Sequence, residues 1–165
     1  AVMLSGETAA GRYPVQTVKT MARIAEETEK NIHFKKRFYT ASFEIRNTVD
    51  ALSHATCALS MDINARAIAV CTLSGMTARM VSRFRSPTDI LGVTTDEKSW
   101  RKLALSWGVL PALTDRFDST DVLFFNAKNL ARDLFHLPKG TRIVITGGLT
   151  NGTSGNTNII KAEVI

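Results

Sequence analysis

Apolar positions along this chain alternate between short continuous runs and longer stretches at helical spacing. The chain starts on an apolar run, Val2-Met3-Leu4, which reads as the end of a buried strand, followed by a polar turn. Pro14 then suits the first turn of a helix, where its missing N–H would be unpaired anyway. Val18, Met21, Ala22 and Ala25 carry that helix to about Lys30. Residues 31–43 are more polar and hold the basic run Lys35-Lys36-Arg37. They read as a connector with some helix and as the domain boundary, which divides the chain into 1–40 and 41–165.

Beyond Glu44 the pattern becomes regular. Ile45, Val49, Leu52 and Leu59 mark one face of a helix ending near Met61, and Ala67 to Cys71 is an apolar run of strand length. Met76, Met80, Val81 and Phe84 form the next helical stripe, stopped before Pro87. Ile90 to Val93 is a strand, and Thr94 with Glu97 predicts a capping box that opens a helix bearing Trp100, Leu103, Ala104 and Trp107. Val109 to Leu113 is again strand, and Pro111 places it near an edge or a strand end. Asp118 or Ser119 caps a helix with Val122, Phe125, Leu130 and Leu134. Arg142 to Thr146 is an apolar strand, a glycine-rich loop follows over 147–156, and the chain closes on a strand near 158–165. Strands alternating with helices, several of them continuously apolar, predict an α/β three-layer sandwich with a mostly parallel five-stranded sheet. The last loop is too short for a crossover helix, so the last strand pairs antiparallel. A strand–helix piece precedes this body. A chain that starts inside an apolar strand with no initiator methionine is expected to be part of a longer protein.

Composition sharpens this picture modestly. The 165 residues are 44% hydrophobic and 22% charged, with a formal net charge of +6. The cations are dispersed, without a dense basic stripe or interleaved aromatics, so a nucleic-acid partner is not expected. No run reaches the ~18 apolar residues of a membrane helix, so no membrane partner is expected either. The two cysteines, Cys57 and Cys71, sit in apolar runs, form no CxxC pair and fit a reducing, cytoplasmic setting. No metal site is expected in the chain.

Three stretches are candidates for chemistry. Thr72-Leu73-Ser74-Gly75-Met76-Thr77 lies directly between a strand and a helix, where open α/β sheets bind ligands. A helix start offers unpaired N–H groups and partial positive charge, the hydroxyls add donors, and Arg79 and Arg83 lie on the same helix. The residues alone leave a plain capped loop open. Gly152-Thr153-Ser154-Gly155-Asn156-Thr157-Asn158 is a second small-polar loop that would open on the same sheet edge, or serve only as a hairpin. Ser5-Gly6-Glu7 is the third, an active-site edge or a capped turn. His33, His54 and His136 have no acid or nucleophile at a telling spacing, and no complete catalytic constellation is visible.

Val2-Met3-Leu4-Ser5-Gly6-Glu7-Thr8-Ala9, with Gly11 and Tyr13-Pro14-Val15, resembles the segment that closes the catalytic barrel of pyruvate kinase. Thr72-x-Ser74-Gly75-x-Thr77-Ala78 with Val81-x-Arg83-Phe84-Arg85-x-Pro87 resembles the effector-loop region of the same family's carboxyl-terminal domain. Trp107-Gly108-Val109 and the run Gly152 to Asn158 resemble its later segments. The resemblance implies a parent that transfers a phosphoryl group from phosphoenolpyruvate to ADP in glycolysis, with Mg and K as cofactors. Its metal carboxylates, lysine and arginine lie upstream, so this chain alone is expected to be inactive, with Ser5, Gly6 and Glu7 a remnant of the active-site face. Residues 1–40 would be the last barrel strand–helix unit and connector. Residues 41–165 would be the allosteric and assembly domain of a homotetramer.

The effector implied is a sugar phosphate or an AMP-type nucleotide, held by Thr72, Ser74, Gly75, Met76 and Thr77 and by Asn151 to Asn156. Leu73 and Met76 are apolar where many members carry polar or cationic residues, and Asp118 and Phe125 stand where some fructose-bisphosphate-activated forms have tryptophan and arginine. A monophosphorylated effector, or weak regulation, is therefore expected over tight binding of fructose bisphosphate. The competing reading is a freestanding phosphate-ligand-binding α/β module.

Overall fold

The computed structural model describes residues 2–148 and 156–165. Four strands form the centre: β1 (Ala67–Cys71), β2 (Asp89–Thr94), β3 (Val109–Leu113) and β4 (Arg142–Gly148). They run parallel, and β5 (Thr157–Val164) pairs antiparallel with β4, giving the order β3-β2-β1-β4-β5. All five residues of β1 are buried, as befits a central strand covered on both faces.

One face of the sheet presents Ile68, Val70, Ile90 and Val144. It is covered by α4 (Thr48–Asp62), α5 (Met76–Arg83) and Leu103 of α6 (Glu97–Leu103). The other presents Ala69, Leu91, Val93, Ile143 and Ile145 beneath α7 (Thr120–Leu134). Both faces of β1 alternate residue by residue, the period-two geometry of a strand.

The helix faces differ from the expected stripes. In α4 the buried residues are Asp50, Ser53, Thr56, Cys57, Ser60 and Met61, while Leu52 and Leu59 are only half-buried and Ile45 lies exposed before the helix. In α7 they are Phe124, Ala127 and Ala131, and Val122, Phe125 and Leu134 face outward. Small side chains take most of the fully buried positions because they let the helix axis approach the sheet closely, so Leu59 of α4 and Leu130 of α7 pack only at the margin of the core. In α5 the expected residues Val81 and Phe84 are buried, but Met76 is not.

Two caps also differ. The start of α6 is capped by Asp96, whose Oδ2 accepts from the Ser99 N–H at 2.7 Å, rather than by Thr94. The helix then ends at Leu103, leaving Ala104 and Trp107 beyond it. Ser119 is the N-cap residue of α7 but makes no side-chain capping bond.

Before this body lie α1 (Gly6–Ala9), α2 (Pro14–Lys30) and α3 (Phe34–Thr40). The strand expected over the first five residues is absent among residues 2–5, and Val2 and Met3 are exposed. A strand needs a neighbour to take its N–H and C=O groups, and none lies beside it. Helix α2 forms over the expected range yet buries no residue. In the connector, Phe38 of α3 is 2% exposed and packs among Phe43, His54 and Phe84. Its ring stacks on His54 with centroids 4.6 Å apart.

The two sheet edges are built differently. Gly108 O accepts from Ile90 N–H and Thr94 O accepts from Thr114 N–H, so even-numbered N–H groups of the β3 segment turn inward. Pro111, at an odd position, therefore puts its missing N–H on the outer edge, and Trp100 Nε1 donates to its carbonyl at 3.2 Å. The edge at β5 carries no proline or comparable cover; Lys161 and Lys128 instead pair with Glu163 at 2.6 and 3.2 Å.

Candidate functional site

The loop after β1 stands at the carboxyl edge of the sheet. Its base is fixed to β2: Thr72 N–H donates to Val93 O at 2.9 Å, and Thr94 Oγ1 donates to Leu73 O at 3.0 Å. Gly75 then turns the chain into α5 with φ +75°, a left-handed conformation that a side chain resists. A Cβ there would also press on the Leu103 side chain, at 3.3 Å. Gly75 is the N-cap of α5 and has no side chain with which to cap the helix's first N–H groups.

Of the side chains singled out in this loop, Ser74 is exposed, Thr72 half-buried and Thr77 buried. Leu73 and Met76 are each 43% exposed. The Thr77 hydroxyl meets the Thr157 hydroxyl of β5 at 2.6 Å. One of the pair donates to the other, so one O–H proton of the two stays available. This contact joins the start of α5 to the end of the second small-polar loop, a juxtaposition that spacing along the chain does not reveal. Asn151 to Gly155 lie outside the described residues. Asn156 backs onto Gly148, where a Cβ would lie 2.5 Å from its carbonyl oxygen and from Oδ1, so only glycine fits there.

The cations divide. Arg79 stays beside the loop, with Nη2 3.9 Å from Met76 Sδ. Arg83, expected to lend charge to the same site, is committed at the far end of α5: it lies 3.6 Å from Asp50 Oδ2, donates to Glu44 O at 3.0 Å and covers the Phe84 ring. No carboxylate occurs between Thr72 and Arg79, so nothing on that stretch opposes an anion. Beneath the loop, burial pushes the Cys71 thiol up to about 12, which keeps it neutral and inert. One contributor was not foreseen, Thr94, which holds the loop carbonyl; Thr157 lies in the second small-polar stretch, but its meeting with Thr77 was not. A threonine at a strand's carboxyl end is the one signal that pointed to Thr94.

Ser5, Gly6 and Glu7 sit apart in α1. Ser5 N–H donates to Glu7 Oε2 at 3.3 Å, so this carboxylate is engaged locally. Among the described residues no group of three or more His, Cys, Asp or Glu side chains converges as a metal site. No helix among them is long and apolar enough to cross a membrane.

A family model, pyruvate kinase, alpha/beta domain, matches residues 50–162. The chain belongs to the pyruvate kinase family. It is 42% identical to the pyruvate kinase of Clostridium acetobutylicum over its whole length, which is 35% of that relative. It is 38% identical to the Staphylococcus epidermidis pyruvate kinase and 37% to that of Staphylococcus saprophyticus, spanning 28% of each. The chain thus covers about a third of the length of the curated relatives it matches, at their carboxyl-terminal part. The mostly parallel sheet with one antiparallel edge agrees with that domain.

Proposed function

We propose that this chain is the regulatory and subunit-contact part of a cytoplasmic pyruvate kinase, whose whole transfers a phosphoryl group from phosphoenolpyruvate to ADP in glycolysis. The chain's own role is to bind a monophosphorylated effector, a sugar phosphate or an AMP-type nucleotide. The observation that carries this is the Thr77–Thr157 contact, which brings two small-polar loops together at the open start of α5. Phosphate oxygens would accept from the first N–H groups of α5 and from the hydroxyls of Thr72 and Ser74, with Arg79 adding charge. The resemblance assigns the second loop, Asn151 to Asn156, to the same ligand. The apolar Leu73 and Met76 leave no second cation for a bisphosphate.

The Mg and K that support phosphoryl transfer in the family belong with the catalytic barrel. No catalytic step is assigned to this chain. Residues 1–40 are the barrel's last helix unit and its connector, which gives the exposed Val15, Val18 and Ile24 of α2 a surface to cover. Residues 41–165 are the effector domain. The β5 edge and the outward Val122, Phe125 and Leu134 of α7 serve contacts between subunits of a homotetramer.

Thermal unfolding with millimolar AMP, ribose 5-phosphate and fructose 1,6-bisphosphate tests the reading. A ligand at a hundred times its dissociation constant stabilises by about 2.7 kcal/mol, a rise of roughly 5–10 °C for a domain this size. The expected result is a shift with a monophosphate, abolished by Ser74→Glu and Thr77→Val, and no pyruvate formed by the chain alone. No shift with any of the three ligands would refute the effector site.

A further inference from the structure

Two methionines stand well exposed, Met3 at 80% and Met76 at 43%, whereas Met61 is buried at 5%. Met21 and Met80 are half-buried. A soluble oxidant therefore reaches Met3 and Met76 first. The thiols do not compete, because Cys57 and Cys71 are buried and burial keeps them neutral, while peroxides attack the thiolate.

The two exposed methionines differ in what lies beside them. Met3 belongs to the stretch 2–5, outside any helix or strand. Met76 opens α5, and Arg79 stands three residues on, where helical neighbours meet. Among the described residues Arg79 enters no ion pair, and its Nη2 donates to Met76 Sδ across 3.9 Å. A thioether is a weak acceptor, so this contact holds the exposed guanidinium loosely. An anion at the start of α5 draws it away at little cost. A sulfoxide alters that balance. Oxidation turns an apolar side chain into a polar one, and its oxygen takes a charge-assisted hydrogen bond from a guanidinium, about twice as strong as a neutral one. The gap between sulfur and nitrogen leaves room for that oxygen.

We propose that Met76 is a site of reversible oxidation, and that its sulfoxide binds Arg79 and withdraws this cation from an anion at the start of α5. The oxidant is a peroxide. The sulfur lone pair attacks one oxygen of hydrogen peroxide, the O–O bond breaks, and the departing hydroxide takes the proton of the new S–OH group to leave as water. The thioether is oxidised by two electrons and the peroxide is reduced by two. A dithiol reductant reverses the change, becoming a disulfide while the sulfoxide oxygen leaves as water. The capture of Arg79 stands on its contact with Met76 alone. Its effect on ligands rests on the effector site proposed above, to which Arg79 adds charge.

Nuclear magnetic resonance of the chain carrying isotope-labelled arginine, before and after dilute hydrogen peroxide, tests the proposal in a Met3→Leu background. Peptide mass spectrometry follows oxidation at each methionine, and Met76 should oxidise well before Met61. The Arg79 Nε signal, identified by its loss in Arg79→Lys, should shift on oxidation and return after methionine sulfoxide reductase treatment. It should not move when Met76→Leu is treated with peroxide. The dissociation constant for ribose 5-phosphate or AMP should rise about tenfold on oxidation, the change for one charge-assisted hydrogen bond. Each chain is compared with itself before treatment, and Met76→Leu should show no rise. An unmoved Arg79 signal at full Met76 oxidation, or Met76 oxidised no faster than Met61, overturns the capture. A moved signal with an unchanged dissociation constant overturns the withdrawal of Arg79 from the anion. If the untreated chain binds neither ligand, the effector reading fails, and the Arg79 signal alone decides whether the sulfoxide captures this cation.

Discussion

Helix α2 and helix α7 both carry apolar residues at helical spacing, and they end in opposite circumstances. Helix α7 buries Phe124, Ala127 and Ala131 against the sheet, whereas α2 buries nothing and leaves Val15, Val18 and Ile24 in solvent. The difference lies in the partner and not in the helix. An amphipathic stripe states that a surface is required; only the presence of that surface within the folded unit converts the stripe into stability. The α/β body supplies that surface for α7 and not for α2.

The sharpest way to break this comparison is truncation in each region. Ile145→Ala, at a fully buried position of β4, should cost about 2–5 kcal/mol by chemical denaturation, while Ile24→Ala in α2 should stay within about 0.5 kcal/mol. A comparable cost at Ile24 would mean that α2 is part of the cooperative core. Next in size is Gly147→Val. A Cβ there already meets Cys71 Cβ at 3.0 Å and Phe124 Cε1 at 3.1 Å, both within the packed layer under α7. Overpacking of about 1–3 kcal/mol is expected, with no change in α2 helicity.

The expected pH effect is smaller. Lys161, with help from Lys128, holds the Glu163 carboxyl below its ordinary range, and the Ser99 side chain and N–H do the same for Asp96. A carboxylate whose folded pKa is depressed contributes stability above its unfolded pKa of about 4, and loses it as pH falls through the folded value. Midpoints should therefore be level from pH 7 to about 5 and fall below about 4. Glu163→Gln should flatten part of that fall. The smallest effect is kinetic. Burial pushes both Cys57 and Cys71 up to about 12, so thiol reagents should label them only through global opening, at equal rates with or without residues 1–30.

Much of the body was legible because β1, β2 and β4 are runs of mostly buried apolar residues and helix signals separate the parallel strands. Even the edge position of β3 follows from Pro111. The helix faces were not legible. Periodicity finds the most apolar stripe, and in α4 and α7 that stripe is offset from the sheet, with Leu59 and Leu130 at the margin of the core and Val122, Phe125 and Leu134 outside it, since close packing selects serine, threonine and alanine inward. The opening strand failed for a related reason: a strand is defined by its neighbours, which local sequence does not contain. At the site, the β1–α5 loop was visible from its position between strand and helix. Its meeting with Thr157, and the diversion of Arg83 to Asp50, depend on contacts between residues far apart in the chain.

The most direct test of the account is thermal unfolding of residues 31–165, without α1 and α2, in the presence and absence of ribose 5-phosphate and AMP. The account predicts one cooperative transition within a few degrees of the whole chain and the same ligand-induced shift. Loss of cooperative unfolding, or loss of the shift that the whole chain shows, would contradict the claim that fold and effector site both reside in the α/β body.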